Sequence, residues 1–501
     1  MKTKEKKNFF VFLKEHFPQN KQRWKLYLKF SIPIILSGIL FSLNGFIDNF
    51  MVATVKHGVD SLSYANSWTG IVSGVMGGIS IICSVLVGQY YGTKNYEKVK
   101  EVMRARVLLT LVVTTIFSVF SLIFTEKMIS VFYQNTQDPQ TLQQAVDYLR
   151  LIVITWIIFS WTSPMSSLLG ETGYGRQALI SSVGSLLINI LLNILLIYVF
   201  KLGVKGAAYA SIAARIFGIF GDTFFVWLKV RKTLINPFSL FKISKDTWIK
   251  ILTRLHSAAM LSANVILIVL RNILFNKNYP QGTMGNIDWA IGAAAVLGLA
   301  GAIGETFLAV FSALSSNVSV FVGKYLGQKE YETAKKNANE LKGFHTVVAL
   351  SLSSILAIII IFVPQMSFFA TEVGNGDKAA QIFYLKQLQQ TLIVIAVFNP
   401  IWVWFATSSR LIASGGKTNL TAFLEFSMEL FALLWLVFIT FVIVPQPKGI
   451  QLYQTYWIFF IADIVKFFVF EFVYLKVDWA KHIDDPAYTK RWFESKNGNN
   501  N

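Results

Sequence analysis

The sequence predicts an all-α integral membrane protein, with twelve transmembrane helices in two pseudo-symmetric six-helix lobes around a central cleft. Three observations carry this expectation. The composition is 54% hydrophobic and only 15% charged, with a mean hydropathy of +0.52, whereas a soluble surface needs about 25% charged residues. Apolar runs such as 186–200 (LLINILLNILLIYVF) and 347–363 recur along the whole chain, and about 20 such residues cross a bilayer as a helix. A segment of the first half also returns in the second.

Taken in order, the runs place spans at 28–54, 66–90, 106–133, 146–170, 178–200, 206–230, 251–276, 288–323, 345–370, 383–413, 419–445 and 452–476. The run 288–323 is long and glycine-rich, which suggests a kink. These spans divide the chain into an N-terminal segment (1–24), an N-lobe (25–230), a linker (231–250), a C-lobe (251–476) and a C-terminal tail (477–501). An even number of spans leaves both termini on one side. Lys and Arg gather in 92–106, 229–250 and 324–342, while 134–147 and 371–377 carry none. The positive-inside rule therefore expects the basic segments and both termini to be cytoplasmic.

The formal net charge of +19 sits at helix ends and in alternate loops, which argues against a nucleic-acid partner. Cys83 is the single cysteine, so no disulfide or cysteine-based metal site can form within the chain. The five histidines are scattered without ligand spacing. The N-terminus, MKTKEKKNFFVFLKEHF, lacks a cleavage site and reads as a basic amphipathic segment.

The repeat is specific. VGQYYGTKNYEKVK (87–100) returns as VGKYLGQKEYETAK (322–335), offset by 235 residues and identical at eight of fourteen positions. Six helices separate the copies, so both keep the same orientation. The halves are then related by an axis along the membrane normal, with a cleft between them, which is the plan of an alternating-access transporter.

Polar residues inside the spans need a reason, since a charge at mid-bilayer costs about 2.5–3.5 kcal/mol on insertion scales. In the first half these are Asp48, with Asn44 one turn before it, then Asn189 and Asn193 four apart on one helix face, and Ser211. A carboxylate with amide and hydroxyl oxygens suits a hard cation such as Na+, or the carboxylate carries a proton. The competing explanation is an interhelical hydrogen-bond cluster. In the second half Arg271, Asn272, Glu305, Glu425, Glu429, Asp463 and Lys466 stand out. Glu425 and Glu429 share a face and suit proton carriage or a cationic substrate, unless Arg271 neutralises one of them; Asp463 is expected to pair with Lys466. Pro33 and Pro400 permit bends in the first and tenth spans. Trp68, Trp156, Trp161, Trp402 and Trp404 either stack on flat or cationic compounds or anchor the interface.

These residues resemble the multidrug and toxic compound extrusion (MATE) family along residues 25 to 480. Pro33 and Asp48 are spaced as the family's proline and coupling aspartate. GQYYG (88–92) is similar to its "GQ..GA" signature. The stretch from Asn189 and Asn193 to GVKGAAYAS (203–211) looks like its "N…N/D…G..GAA.AT" pattern. Ser211 replaces a usual threonine, and Asn193 replaces an aspartate found in some relatives. No acid stands in the middle of the tenth span, so the pattern is closer to prokaryotic branches that couple through the first lobe.

The resemblance implies a monomeric antiporter in a bacterial plasma membrane, without a cofactor. It would expel amphipathic, often cationic drugs or toxic metabolites against inward H+ or Na+. Asp48 would be the coupling carboxylate, with Asn189, Asn193, Ser211 and Asn44 around it and Pro33 as gate. Asp48, Asn189 and Asn193 would hold the ion if it is Na+. Arg271, Glu305, Glu425, Glu429, Trp161 and Trp402 are the candidates for the substrate cleft. The alternative is a flippase of lipid-linked oligosaccharides or peptidoglycan precursors, to which Arg215 and Arg271 give weight. A membrane enzyme would have to use His482 with Asp484 and Asp485, which read as a solvated charge run.

Overall fold

The computed structural model describes residues 15–52, 54–55, 58–132, 139–278, 281–284, 287–291, 293–367, 370, 377–443 and 451–485. The basic amphipathic stretch up to residue 14, and Lys490 and Arg491 of the tail, lie outside them.

Twelve long helices follow one another in chain order. They are α1 (Lys21–Val52), α2 (Gly58–Gly92), α3 (Tyr96–Ile123), α4 (Pro139–Glu171), α5 (Gly175–Asn193), α6 (Val204–Val230), α7 (Leu255–Asn278), α8 (Val296–Phe307 with Val310–Gly327), α9 (Tyr331–Phe362), α10 (Lys378–Ser414), α11 (Thr418–Phe438) and α12 (Leu452–Lys476). The two pieces of α8 meet at a bend of 41°. Among the described residues ten of these helices, or eleven with the bent pair α8, are long and apolar enough to cross a membrane, and α12 is not among these. The helices are apolar on most faces. Side chains such as Leu191, Phe220 and Phe468 are 64%, 69% and 65% exposed, as lipid-facing residues should be. Local signals set several starts: Asn95 accepts from the Lys98 N–H at the head of α3, Asp377 accepts from Ala379 and Ala380 at the head of α10, and Pro139 begins α4.

The linker is more structured than its composition suggests. It holds short 3-10 turns at Arg231–Thr233 and Pro237–Ser239, and a helix, Lys245–Leu252, that leads into α7. One expectation needs correcting. The eighth span does not begin at 288, because Ile287–Ile291 pairs antiparallel with Gln281–Met284. This hairpin qualifies the all-α description without altering the helical frame.

The duplication is visible in the packing. Within the first lobe α1 packs on α5, α3 on α4, and α4 on α6; within the second, α7 packs on α11, α9 on α10, and α10 on α12. The lobes meet through α2 against α7 and α8 against α1, again an equivalent pair. Both α5 and α11 run on into a π-helical turn, Ile194–Val199 and Ile439–Ile443.

Candidate functional site

Near the C-terminal end of α1, Asp48 is 4% exposed and held by two neighbouring helices. Asn193 Nδ2 of α5 donates to its Oδ1 at 2.6 Å, and Ser211 Oγ of α6 donates to its Oδ2 at 3.0 Å. Asn189, one turn before Asn193, completes the ring: its Oδ1 accepts from Asn193 at 3.1 Å and its Nδ2 donates to Ser211 at 3.4 Å. Both asparagines are fully buried, and the Asn193 Oδ1 has no hydrogen-bond partner among the described residues. A buried amide oxygen beside a carboxylate, a second amide and a hydroxyl is a donor set that a small hard cation fits. A proton on Asp48 suits it equally, as the neutral acid can donate within the same ring. Asn44 stands apart from this ring and faces the central cavity instead.

That cavity, of about 700 Å³, lies between α1, α4, α5, α6 and α8. Serines line much of it, among them Ser37, Ser163, Ser167, Ser181 and Ser185. Ser211 belongs to both places: its hydroxyl binds Asp48, and its side of α6 lines the cavity. Three charged residues join it there, Arg215 and Asp222 of α6 and Glu305 of α8. Asp222 went unnoticed in the sequence, although a lone acid within GIFGDTFF was a usable signal. Pro164 of α4, next to the cavity-lining Ser163, is a further in-helix proline that was overlooked.

The other cleft candidates lie elsewhere. Trp161 donates to Thr223 Oγ1 at 3.0 Å and packs in the N-lobe core. Glu429 faces Arg271 at 3.2 Å and Lys466 at 3.0 Å, while Lys466 also pairs with Asp463 at 2.9 Å. Trp402 Nε1 donates to Asp463 at 2.6 Å. Glu425 sits 2.9 Å from Arg410 and accepts from Ser409. Each glutamate therefore has its own cation, and the two do not form a shared acid pair. Only Glu305 of the second-lobe candidates lines the cavity.

On the basic face the two sequence repeats pack against each other. A Cβ on Gly323 would lie 3.4 Å from the Gly88 Cα, and one on Gly327 only 2.1 Å from the Gln89 carbonyl oxygen. The tail closes over this contact through Ile483, with Asp484 half-exposed beside it. Ile483, 1% exposed, docks in the core and donates its N–H to Gln89 Oε1 at 2.7 Å; Asp484 meets Lys250 at 2.5 Å. Burial there pushes the His482 imidazole below its ordinary range. On the opposite side, Cβ positions at Gly45, Gly70, Gly77, Gly298 and Gly301 meet nothing within 4 Å, so α1, α2 and α8 leave open space towards that face.

Comparison with known proteins agrees with this frame. The family model MatE matches residues 33–195. The chain is 24% identical over 62% of its length to the probable multidrug resistance protein YoeA of Bacillus subtilis, and 26% identical over 42% of its length to an uncharacterized membrane protein of Methanocaldococcus jannaschii. It spans 66% and 47% of the length of these relatives. The fold superposes on a crystal structure of MATE in complex with MaL6 with a TM-score of 0.72 at 17% identity, covering 92% of this chain and 98% of that one. The match over 33–195, the curated relatives and the shared fold make the chain similar to MATE-family transporters in most of its first lobe and in its overall helical frame.

Proposed function

We propose that the chain is a multidrug efflux antiporter that exports organic compounds in exchange for inward H+ or Na+ by alternating access. The observation that carries this is Ser211, which ties the buried Asp48 to the wall of the cavity. An ion arriving at Asp48 changes what Ser211, Asn189 and Asn193 bind, and that change is felt on α6 where a substrate would lie. Coupling of this kind is a reciprocal free energy between two sites. Pro33 is the gate: it removes a backbone donor from α1, and Ser37 Oγ donates to the Pro33 carbonyl at 3.0 Å, so α1 has a weak point between the basic face and the cluster. The Bacillus subtilis relative is described as a probable multidrug resistance protein, which supports organic compounds as cargo. The basic face, by the positive-inside rule, is cytoplasmic, and a single chain suffices for the cycle.

The test is transport in proteoliposomes with H+ and Na+ gradients imposed separately. Uptake of an organic dye should follow one of the gradients, and Asp48→Asn should lower coupled uptake at least tenfold. Full coupled transport by Asp48→Asn would sink the assignment. Stabilisation by lipid pyrophosphates in place of drugs would favour a flippase; the cavity's two acids, Asp222 and Glu305, argue against that cargo.

A further inference from the structure

We propose that the cavity selects a dipolar aromatic compound, one carrying an anionic group as well as a cationic one, with Arg215 receiving the anion and Asp222 the cation. The proposal rests on the cavity being the substrate site. Arg215 stands in the middle of α6, too far from either end to reach water along the helix. Its guanidinium lies over two rings that line the cavity, 5.1 Å from the Phe41 centroid and 4.8 Å from the Phe159 centroid. Its five N–H groups make no hydrogen bond or ion pair among the described residues. Asp48 and Asp222 attract it at longer range without a hydrogen bond or ion pair. A charge placed within a span and left without a protein partner is a functional group by default, and a guanidinium edge binds carboxylate or phosphate oxygens.

Asp222 supplies the second pole. It is 6% exposed, lines the cavity, and its Oδ1 has no hydrogen-bond partner among the described residues. An ionised acid in that state attracts a cationic group. Arg215 and Asp222 are seven residues apart, two turns of one helix, so they share a face about 10 Å apart along its axis. That separation prevents them from satisfying each other and suits a ligand with an aromatic body between its charges. A purely cationic drug would meet Asp222 but also the repulsion of Arg215.

Rhodamine B and its ethyl ester share one ring system and differ in the free carboxylate, so they make a matched pair of probes. Fluorescence anisotropy with purified full-length protein should find rhodamine B at least tenfold tighter than the ester. Arg215→Gln should weaken rhodamine B about tenfold and leave the ester unchanged or strengthened, since each charge-assisted hydrogen bond is lost with the guanidinium. Asp222→Asn should weaken both dyes. Arg215→Lys, which keeps the charge, should keep part of the preference and shows that the fold tolerates change at this position. Equal affinity of the two dyes in the unaltered protein, or a preference that survives in Arg215→Gln, would overturn the proposal. Failure of the transport reading is seen separately, as dye binding without gradient-driven uptake.

Discussion

At the scale of single residues, the ion pair between Arg106 of α3 and Glu171 at the end of α4 is the most deeply buried in the first lobe. The Arg106 Nη1 lies 3.0 and 3.2 Å from the two carboxylate oxygens, and both side chains are 2% exposed. Neither is at a cavity wall, so their role is to hold two helices together. Removing one partner of a buried pair leaves an uncompensated charge and costs about 3–5 kcal/mol, whereas replacing both with apolar groups is close to neutral. Glu171→Gln should therefore lower the unfolding temperature in detergent by several degrees, and Arg106→Met with Glu171→Met should recover most of the loss; equal melting of single and double variants would refute the pairing. This pair and the Asp48 ring differ in how far they could be read from sequence. Asn189 and Asn193 are a local pattern, four residues apart on one helix, and point to a shared face without knowledge of the fold. Arg106 and Glu171, or Glu429 with Arg271 and Lys466, depend on which helices become neighbours. Spacing along the chain holds no such information, and Arg215 and Asp222 acquire meaning only once the cavity exists.

Single elements were legible to the extent that their hydrophobic runs were uninterrupted. Each expected span overlaps one of the twelve long helices, because a lipid-facing helix needs the same apolar length wherever it packs, although 106–133 runs on into a separate short helix, Thr125–Phe132. The errors fall where irregular backbone enters. Ile287–Ile291 extended an apolar run, yet Asp288 in its middle marks a segment outside the bilayer, and it pairs as a strand. The tail looked polar because Ile483 is a single apolar anchor among charges. The first span shows how one residue sets an element's behaviour. Pro33 leaves the Lys29 carbonyl without its intrahelical donor, and an interior proline costs a helix about 3 kcal/mol. Pro33→Ala should raise the thermal stability of the protein while slowing transport several-fold, with dye binding retained. Unchanged transport would show that α1 does not need to bend at this point.

For the whole molecule, the duplication governs the backbone as well as the packing. Positive φ recurs at Lys94 (59°) and Lys329 (62°), the same site of the two repeats, and at Gly173 (89°) and Gly416 (90°), in the turns after α4 and α10. The equivalent repeats then meet on the axis between the lobes, where Gly92, Gly323 and Gly327 allow backbone to approach backbone. The closest backbone approaches of the repeats therefore lie at the basic face, and the glycines without neighbours lie away from it. For the cavity to open to the basic side, α2 and α8 have to part at this glycine contact. A methyl group on Gly327 would sit 2.1 Å from the Gln89 carbonyl oxygen, too close for any real contact, and a carbonyl has no rotamer by which to withdraw. Gly327→Ala should thus push the repeats apart without touching the cavity or Asp48. Spin labels on Lys94→Cys and Lys329→Cys, both exposed loop positions, report this directly, and Cys83 is fully buried and stays unlabelled. The label distance should lengthen and spread when Gly327→Ala is added, with a gain in dye access from the basic side. An unchanged distance distribution would mean that the lobes are held together by the tail contacts at Gln89 and Lys250, and that the glycine seam is not the closure.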